Sequence, residues 1–231
     1  MSYTQKINNI HFDYKVNNIL LSSTSDFKDL GVIFDSKLTF STQINTVVSK
    51  ATKSLGYIIR SCRDVTSVEA LRSLYFGLVS SKLNYCSVVW NPNHAELVSN
   101  LESVQKRFLR YCYLKKYNRY PVRGYSYNLL LSEFGFHSLR KQREINGLIF
   151  IFKIVNCLIN SDVLLSLVDF NVPRAVSRSG VTFHISVPNS QHNFYCPIKS
   201  MCRSVNNLRS VDIFFLSFNI FKREIRNSLS N

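Results

Sequence analysis

The sequence predicts a mainly helical protein with a small antiparallel β-sheet at its N-terminal end. The change in hydrophobic period near residue 40 is the first indication: apolar residues alternate before it and recur every three or four positions after it. The composition is the second, since 231 residues contain only 7 Gly and 5 Pro. Few residues of these two types favour long helices over many turns.

The first 40 residues have the pattern of a three-stranded sheet. Ile10, Phe12, Tyr14 and Val16 alternate with polar residues, which predicts a half-buried strand. Asn17-Asn18 favours a tight turn into a return strand at 19–21, because Asn tolerates positive φ. A polar loop at 26–29 and a third strand at 30–34 complete the prediction.

Several amphipathic helices follow. The first is predicted to begin at a capping Ser41, the second at a capping box over 66–69, and the third to span His94 to Tyr113. Short helices are predicted at 127–133 and 162–168, and a long helix capped by Ser138 lies between them. The first helix has an apolar stripe formed by Ile44, Val47, Val48, Ala51, Leu55, Ile58 and Ile59.

The pattern loosens after residue 168. Pro173 and Pro188 interrupt the chain, and Val181 to Val187 alternate like a strand. A last helix is predicted around an apolar face formed by Phe214, Phe218, Phe221 and Ile225. These changes predict three segments, at 1–40, 41–168 and 169–231.

Net charge is the most unusual property of the composition. The chain has 29 Lys and Arg against 14 Asp and Glu, a formal charge of +15. Such an excess attracts polyanions and favours a nucleic-acid partner. The six scattered Cys indicate reduced thiols and a cytoplasmic or nuclear protein. No membrane partner is expected, since the longest apolar run, 147–159, is too short for a bilayer.

The segment 105–143 is the strongest candidate site. It contains ten Lys and Arg, one acid and six interleaved Tyr. Cations neutralise phosphates and aromatic rings stack on unpaired bases, so this density favours nucleic-acid binding over a solvated basic helix with core tyrosines. The predicted nucleic-acid-binding residues are Lys106, Arg107, Arg110, Lys115, Lys116, Arg119, Arg140, Lys141 and Arg143.

Catalytic and metal-binding patterns are absent from the sequence. Two-metal phosphoryl transfer needs carboxylates held together, but the Asp residues are spread singly and no Asp-Asp pair occurs. Asp35, at a predicted strand end, is interpreted as a turn residue. His184, His192, Cys196 and Cys202 have a spacing that matches no usual zinc motif. We therefore expect no catalytic residue, metal or cofactor in this chain.

Three stretches resemble reverse transcriptases of LINE-type (jockey-like) non-LTR retrotransposons. They are KDLGVIFDSKLTF at 28–40, LYFGLVSSKLNYCSVVWNP at 74–92 and LESVQKRFLR at 101–110, and Gln43 stands where that family has His. Smaller matches occur at 172–173, Arg178, 206–208, 212–214 and 221–222. The resemblance implies that 1–40 is the end of a palm, 41–168 a helical thumb-like domain and 169–231 a C-terminal extension.

This resemblance also implies a function. The family's catalytic Asp pair and its Mg²⁺ belong to a palm upstream of the matching region, so this chain would be inactive alone. It would bind RNA or an RNA–DNA duplex as template and primer, and it would contact the missing palm and fingers of the polymerase. The alternative is a helical protein–protein interaction module, which the exposed edge of the N-terminal sheet and the Phe-rich last helix favour.

Overall fold

The protein is mostly helical, with two small antiparallel hairpins near its N-terminus. This computed structural model describes Tyr3 and residues 12–172, 181–187, 191–208 and 211–229. The predicted fold class is therefore confirmed. Ile10, Pro173, Arg178 and Pro188, which entered the predictions above, lie outside the described residues.

The described helices are more numerous than the sequence pattern predicts: the third predicted helix extends past its predicted end, whereas the helix predicted at 162–168 ends at Leu165. They are α1 (Ser41–Ser61), α2 (Val68–Tyr75), α3 (Ser81–Asn84), α4 (Ser87–Trp90), α5 (Ala95–Tyr117), α6 (Tyr127–Glu133), α7 (Leu139–Val155), α8 (Asp162–Leu165), α9 (Gln191–Phe194), α10 (Pro197–Asn207) and α11 (Phe218–Ser228). A π-helical stretch, Phe76–Ser80, joins α2 to α3.

Two separate hairpins replace the predicted three-stranded sheet. Strand β1 (Lys15–Val16) pairs with β2 (Ile19–Leu20), and β3 (Asp26–Asp29) pairs with β4 (Val32–Asp35). The predicted polar loop at 26–29 is thus a strand. Its turn explains the difference, because Leu30 (φ 43°) and Gly31 (φ 87°) adopt positive φ and fold the chain directly back.

For the first hairpin, the predicted turn is confirmed, but the predicted burial of its apolar side chains is wrong. Asn17 and Asn18 adopt φ values of 49° and 61°, as predicted for a tight turn. Phe12, Tyr14 and Val16 are exposed rather than half-buried, with 70%, 59% and 55% of their surfaces accessible. A two-stranded ribbon has no second layer to cover its apolar side chains, so the alternating pattern does not produce burial here.

Asp35 connects β4 to α1. Its carboxylate accepts hydrogen bonds from the backbone N–H groups of Lys37, Thr39 and Phe40, at 3.1, 3.0 and 2.7 Å, and from the Thr39 hydroxyl at 3.2 Å. Partial burial raises the pKa of Asp35, but these donors outweigh it and hold the pKa below its usual value. The turn role predicted for Asp35 is confirmed. Phe40, not Ser41, precedes the first helical residue.

Replacing Asp35 with Ala should lower the free energy of unfolding by about 1–2 kcal/mol at neutral pH, as for the loss of a helix cap. Because the folded-state pKa is lowered, this contribution is present above the unfolded pKa and is lost as pH falls through the folded pKa. Urea unfolding at pH 6 and pH 2.5 measures the difference. The exposed Asp64→Ala variant is the control. An equal loss for Asp35→Ala at both pH values would contradict the carboxylate's role.

The described residues up to Cys86, together with residues 94–125, form one compact unit, called unit 1. Helix α1 packs along α5 through the predicted stripe, of which Val48 and Ile59 are only half-buried. Tyr75 stacks on Phe108 with ring centroids 4.2 Å apart, and its hydroxyl donates to Gln105 Oε1 at 3.1 Å. Helix α2 begins after Ser67, whose hydroxyl accepts from Ala70 N–H, so the cap lies one residue later than predicted.

Residues 87–93, together with the described residues from Ser126 onwards, form a second compact unit, called unit 2. Helix α7 is central, and α4, α10 and α11 pack against it. Ser138 caps α7, as predicted, by accepting from Lys141 N–H at 3.2 Å. Gly147 permits close packing, since a Cβ there would lie 3.2 Å from Met201 Cγ. The limits of these two units differ from those of the three segments predicted at 1–40, 41–168 and 169–231. Assignment of those segments to a palm, a thumb and a C-terminal extension stays a prediction.

The C-terminal predictions are partly wrong. The alternating stretch 181–187 forms only an isolated bridge, Phe170 to Phe183, and no strand. Val187 is 85% exposed, and no strand among the described residues covers it. Phe221 stacks on Phe152 at 4.3 Å between ring centroids and is buried, so the Phe-rich face of α11 belongs to the core of unit 2. Phe214, predicted on the same face, lies before α11 and is 46% exposed, so an interaction role for this face stays a prediction.

Candidate nucleic-acid interface

Helix α5 presents a cationic face to solvent. Lys106 and Arg107 are exposed and Arg110 is half-buried, while Val104, Phe108 and Cys112 lie on the buried side. The separation follows from the helical period: residues four and three apart share a face. In the part of the chain that the structure describes, Lys106 and Arg107 form no ion pair. Their charges are therefore available to a partner.

Two tyrosines continue the same face of α5 beyond Arg110. Lys106, Arg110, Tyr113 and Tyr117 follow at intervals of four, three and four residues. The rings of Tyr113 and Tyr117 lie 4.5 Å apart, and Tyr125 lies 5.5 Å from Tyr113, each measured between ring centroids. The face thus changes from cationic to aromatic along the helix axis.

The loop after α5, residues 118–125, is held against this aromatic end. Asn118 ends the helix in the left-handed conformation (φ 54°), and Gly124 adopts φ 88°. The Arg110 guanidinium donates to the Pro121 carbonyl at 3.5 Å, and Tyr125 N–H donates to the Val122 carbonyl at 3.1 Å. The Arg110 bond fixes the loop relative to the helix, and the Tyr125 bond closes a turn within the loop.

Most side chains of this loop are exposed, whereas Pro121 is buried and Tyr125 is half-buried. Tyr120 is 58% exposed, Arg119 and Arg123 are also exposed, and Tyr117 at the end of the helix is 43% exposed. Arg119 was among the predicted site residues, whereas Arg123 was not, although it belongs to the same basic stretch. The absence of Asp and Glu between 103 and 132 was the sequence signal that could have included it.

The lysines at the end of α5 make contacts of their own. The Lys115 ammonium donates to the Arg63 carbonyl and lies 5.4 Å from the centroid of the Tyr111 ring. Burial raises the pKa of the Tyr111 hydroxyl, which donates to the Cys62 carbonyl at 3.0 Å. Lys116 is exposed, with its ammonium 5.1 Å from the Tyr117 ring centroid. Lys115 therefore stabilises the junction with α1, and Lys116 belongs to the exposed surface.

The remaining predicted residues lie on α7 in unit 2. Arg140 is exposed and Lys141 is half-buried. Arg143 is only 4% exposed, and its Nε donates to Asn91 Oδ1 at 3.0 Å. A buried guanidinium cannot reach a phosphate, so Arg143 does not fit the predicted binding role. Its position four residues after Leu139 and four before Gly147, both buried, is the sequence signal for this burial.

The described side chains do not fit a catalytic metal site. No group of three or more His, Cys, Asp or Glu side chains could hold a metal ion among the residues described. Asp35 directs its carboxylate to the start of α1. The side chain of His192 is outside the described set, and Cys202, another residue of the considered zinc pattern, is buried, which raises its thiol pKa to about 11.

A polar cleft of about 430 Å³ lies between the first turns of α1 and α5 in unit 1. Ser41, Asn45, Glu96 and Asn100 are among its lining residues, and none of the lining residues is Lys or Arg. The carboxylate of Glu96 disfavours an anion there. The cleft therefore differs in charge from the cationic face.

Among the helices the structure describes, none is both long and apolar enough to cross a bilayer.

The chain is similar over part of its length to a curated protein. The uncharacterized protein B0403.1 of Caenorhabditis elegans is 32% identical over 115 residues, which are 50% of this chain and 56% of the relative. The chain thus matches about half the length of that curated relative. No protein-family profile matches the chain, and no solved structure matches it.

Proposed function

We propose that this chain binds RNA or an RNA–DNA duplex through the cationic face of α5. The observation that carries the proposal is the exposure of Lys106 and Arg107, beside Arg110, on a helix whose other side is anchored in the core of unit 1. Between 103 and 132 the chain has seven Lys and Arg and no acid. A rigid cationic surface of this kind attracts a phosphate backbone.

The spacing of the cations suits a nucleic-acid strand. Lys106 and Arg110 are one helical turn apart, which is a rise of about 6 Å along the axis. A strand of a duplex presents one phosphate per about 3.4 Å of its axis, so the two side chains are about two phosphate steps apart along a strand parallel to the helix. Contacts of this type position a strand without reading its bases.

The resemblance in the sequence gives this binding a biological setting. We propose that the chain is the C-terminal part of a LINE-type RNA-directed DNA polymerase, with residues 41–168 as a thumb-like domain holding template and primer. The palm and fingers of that polymerase would be its protein partner. The chain by itself should leave a primed RNA unextended, since the described side chains do not fit the carboxylate site that Mg²⁺ would need.

Salt dependence of binding tests the proposal. Fluorescence anisotropy with a labelled RNA–DNA duplex, from 50 to 300 mM KCl, should give log Kd rising linearly with log salt. The Lys106→Gln/Arg107→Gln variant should reduce the slope by about 1.8, because each phosphate neutralised contributes about 0.9. Its affinity at 100 mM salt should fall about tenfold or more, since the two contacts contribute through the same counterion term.

A charge-matched variant distinguishes a local site from net charge. Lys50→Gln/Lys53→Gln removes the same charge from the exposed side of α1, within the same unit. This variant should retain most of the slope. Binding that is independent of salt, or equal losses for the two variants, would overturn the assignment to α5.

An interaction module remains the second candidate function, and one observation favours it. The N-terminal hairpins expose large apolar side chains, with Phe12, Ile19 and Leu30 at 70%, 70% and 83% of their surfaces. Exposed apolar residues beside open strand edges are typical of surfaces that pair with another chain. A chain with no salt-dependent affinity for RNA or duplex would favour this candidate over the first.

A further inference from the structure

The aromatic end of the α5 face offers a second mode of contact. Tyr117 and Tyr120 expose 43% and 58% of their surfaces, although tyrosine rings are usually more buried. Exposed cations flank them in the sequence: Lys116, Arg119 and Arg123. This set of five residues is called the aromatic loop surface.

The contacts beneath the surface make it preorganised. Tyr113 packs between Tyr117 and Tyr125, so this inner ring joins the helix to the loop. The hydrogen bond from Arg110 to the Pro121 carbonyl is a second contact between helix and loop. Tyr113 and Arg110 thus hold the loop against the helix. Much of the surface of Tyr117 and Tyr120 is not used in this packing and stays exposed.

We propose that the aromatic loop surface binds an unpaired segment of the nucleic acid, with bases stacking on Tyr117 and Tyr120. The phosphates of that segment would lie against Lys116, Arg119 and Arg123. This inference rests on the proposed function and specifies its substrate class: a single strand, or a single-stranded extension of a duplex.

Stacking explains the choice of an unpaired substrate. The bases of a duplex are already stacked on one another, so exposed rings on a protein have no base face to contact without unstacking the helix. An unpaired base offers its π-face whatever its sequence, and nearby Lys and Arg hold the backbone. The surface combines both features within ten residues, and its positive charge complements the strand.

The Lys116 ammonium helps to define the stacking geometry. It lies 5.1 Å from the centroid of the Tyr117 ring, within the range of a cation–π contact. A base that stacks on this face of Tyr117 would displace the ammonium from the ring towards the phosphate of the same nucleotide. Tyr120, on the loop, would accept a second base.

Binding of two substrates with a common sequence tests the inference. A labelled 12-nucleotide RNA and the corresponding blunt RNA–DNA duplex are titrated with wild-type protein and with Tyr117→Leu/Tyr120→Leu. The variant should bind the single strand at least about tenfold more weakly, since loss of one stacked base already has an effect of this order. Affinity for the duplex should change less than twofold, and the salt slope should stay unchanged because every cation is retained.

Two matched variants keep the result interpretable. Tyr117→Phe/Tyr120→Phe retains both rings and should bind like wild type. Tyr14→Leu removes a tyrosine of similar exposure, 59%, from the N-terminal segment and should have no effect on either substrate. Far-UV circular dichroism and thermal unfolding check that the Leu variants remain folded.

The outcomes separate this inference from the proposed function. Salt-dependent duplex binding by wild type, together with an unchanged single-strand affinity in the Leu variant, would overturn only the stacking role. Equal losses on single strand and duplex would overturn it as well, since stacking predicts a selective loss. Absence of binding to either substrate by wild type would overturn both.

Discussion

Replacing Trp90 with Ala is expected to lower the free energy of unfolding by about 3–5 kcal/mol, the range for truncating a large buried aromatic residue. Trp90 is the only tryptophan in the sequence, and its side chain is fully buried. It ends the short helix α4, which packs against α7 in unit 2. A four-residue helix has little stability of its own, so it depends on this packing.

Urea unfolding followed by far-UV circular dichroism measures the effect, since the variant has no tryptophan fluorescence. Trp90→Phe keeps an aromatic ring and should lose markedly less. The neighbouring Val89, which is 37% exposed, provides a second control, because Val89→Ala should lose below about 1 kcal/mol. A Trp90→Ala variant within 1 kcal/mol of wild type would show that α4 contributes little to the core.

Amphipathic helices were predicted well because the spacing of their apolar residues can be recognised within one continuous stretch of sequence. Ile44, Val47, Ala51, Leu55 and Ile58 are all buried in α1, as the stripe indicates. The formation of such a helix requires only that one apolar face find a partner. Local capping by Ser138 was also predictable, since the Ser hydroxyl and the N–H it accepts from are three residues apart.

The β-structure was predicted less well because turn geometry, not hydrophobic alternation, decides it. Strand β3 has one apolar residue, Phe27, and its pairing with β4 depends on positive φ at Leu30 and Gly31. Leu rarely adopts positive φ, so the sequence does not predict a tight turn at Leu30. Conversely, the alternation at 181–187 needs a neighbouring strand to become a sheet, and the described residues provide only the bridge at Phe170.

The candidate site shows the same division. Exposure of Lys106 and Arg107 follows from the period of α5 and could be predicted. The fixed loop at 118–125 could not, because it depends on contacts of Arg110 and Tyr113 with residues eleven and twelve positions away. Charge density alone could not separate Arg140 from Arg143 either. That separation depends on which side of α7 is covered by neighbouring helices.

Arg143 provides a test that separates stability from binding. Truncation to Ala should lower the free energy of unfolding by about 2–3 kcal/mol, because a buried bond from a charged donor contributes about 1.5–3 kcal/mol. The aliphatic part of the side chain is lost as well. The salt slope of nucleic-acid binding should not change, since a side chain that is 4% exposed neutralises no phosphate.

Arg140, one turn earlier on α7 and exposed, is the matched control. Arg140→Ala should alter stability by less than about 0.5 kcal/mol, as for most surface substitutions. If Arg140 contacts a phosphate, as the sequence predicts, this variant should reduce the salt slope by about 0.9. The two substitutions remove the same charge from the same helix, so opposite effects on stability and slope can only come from position. A reduced slope in Arg143→Ala with unchanged stability would mean that the guanidinium leaves the core to contact the strand.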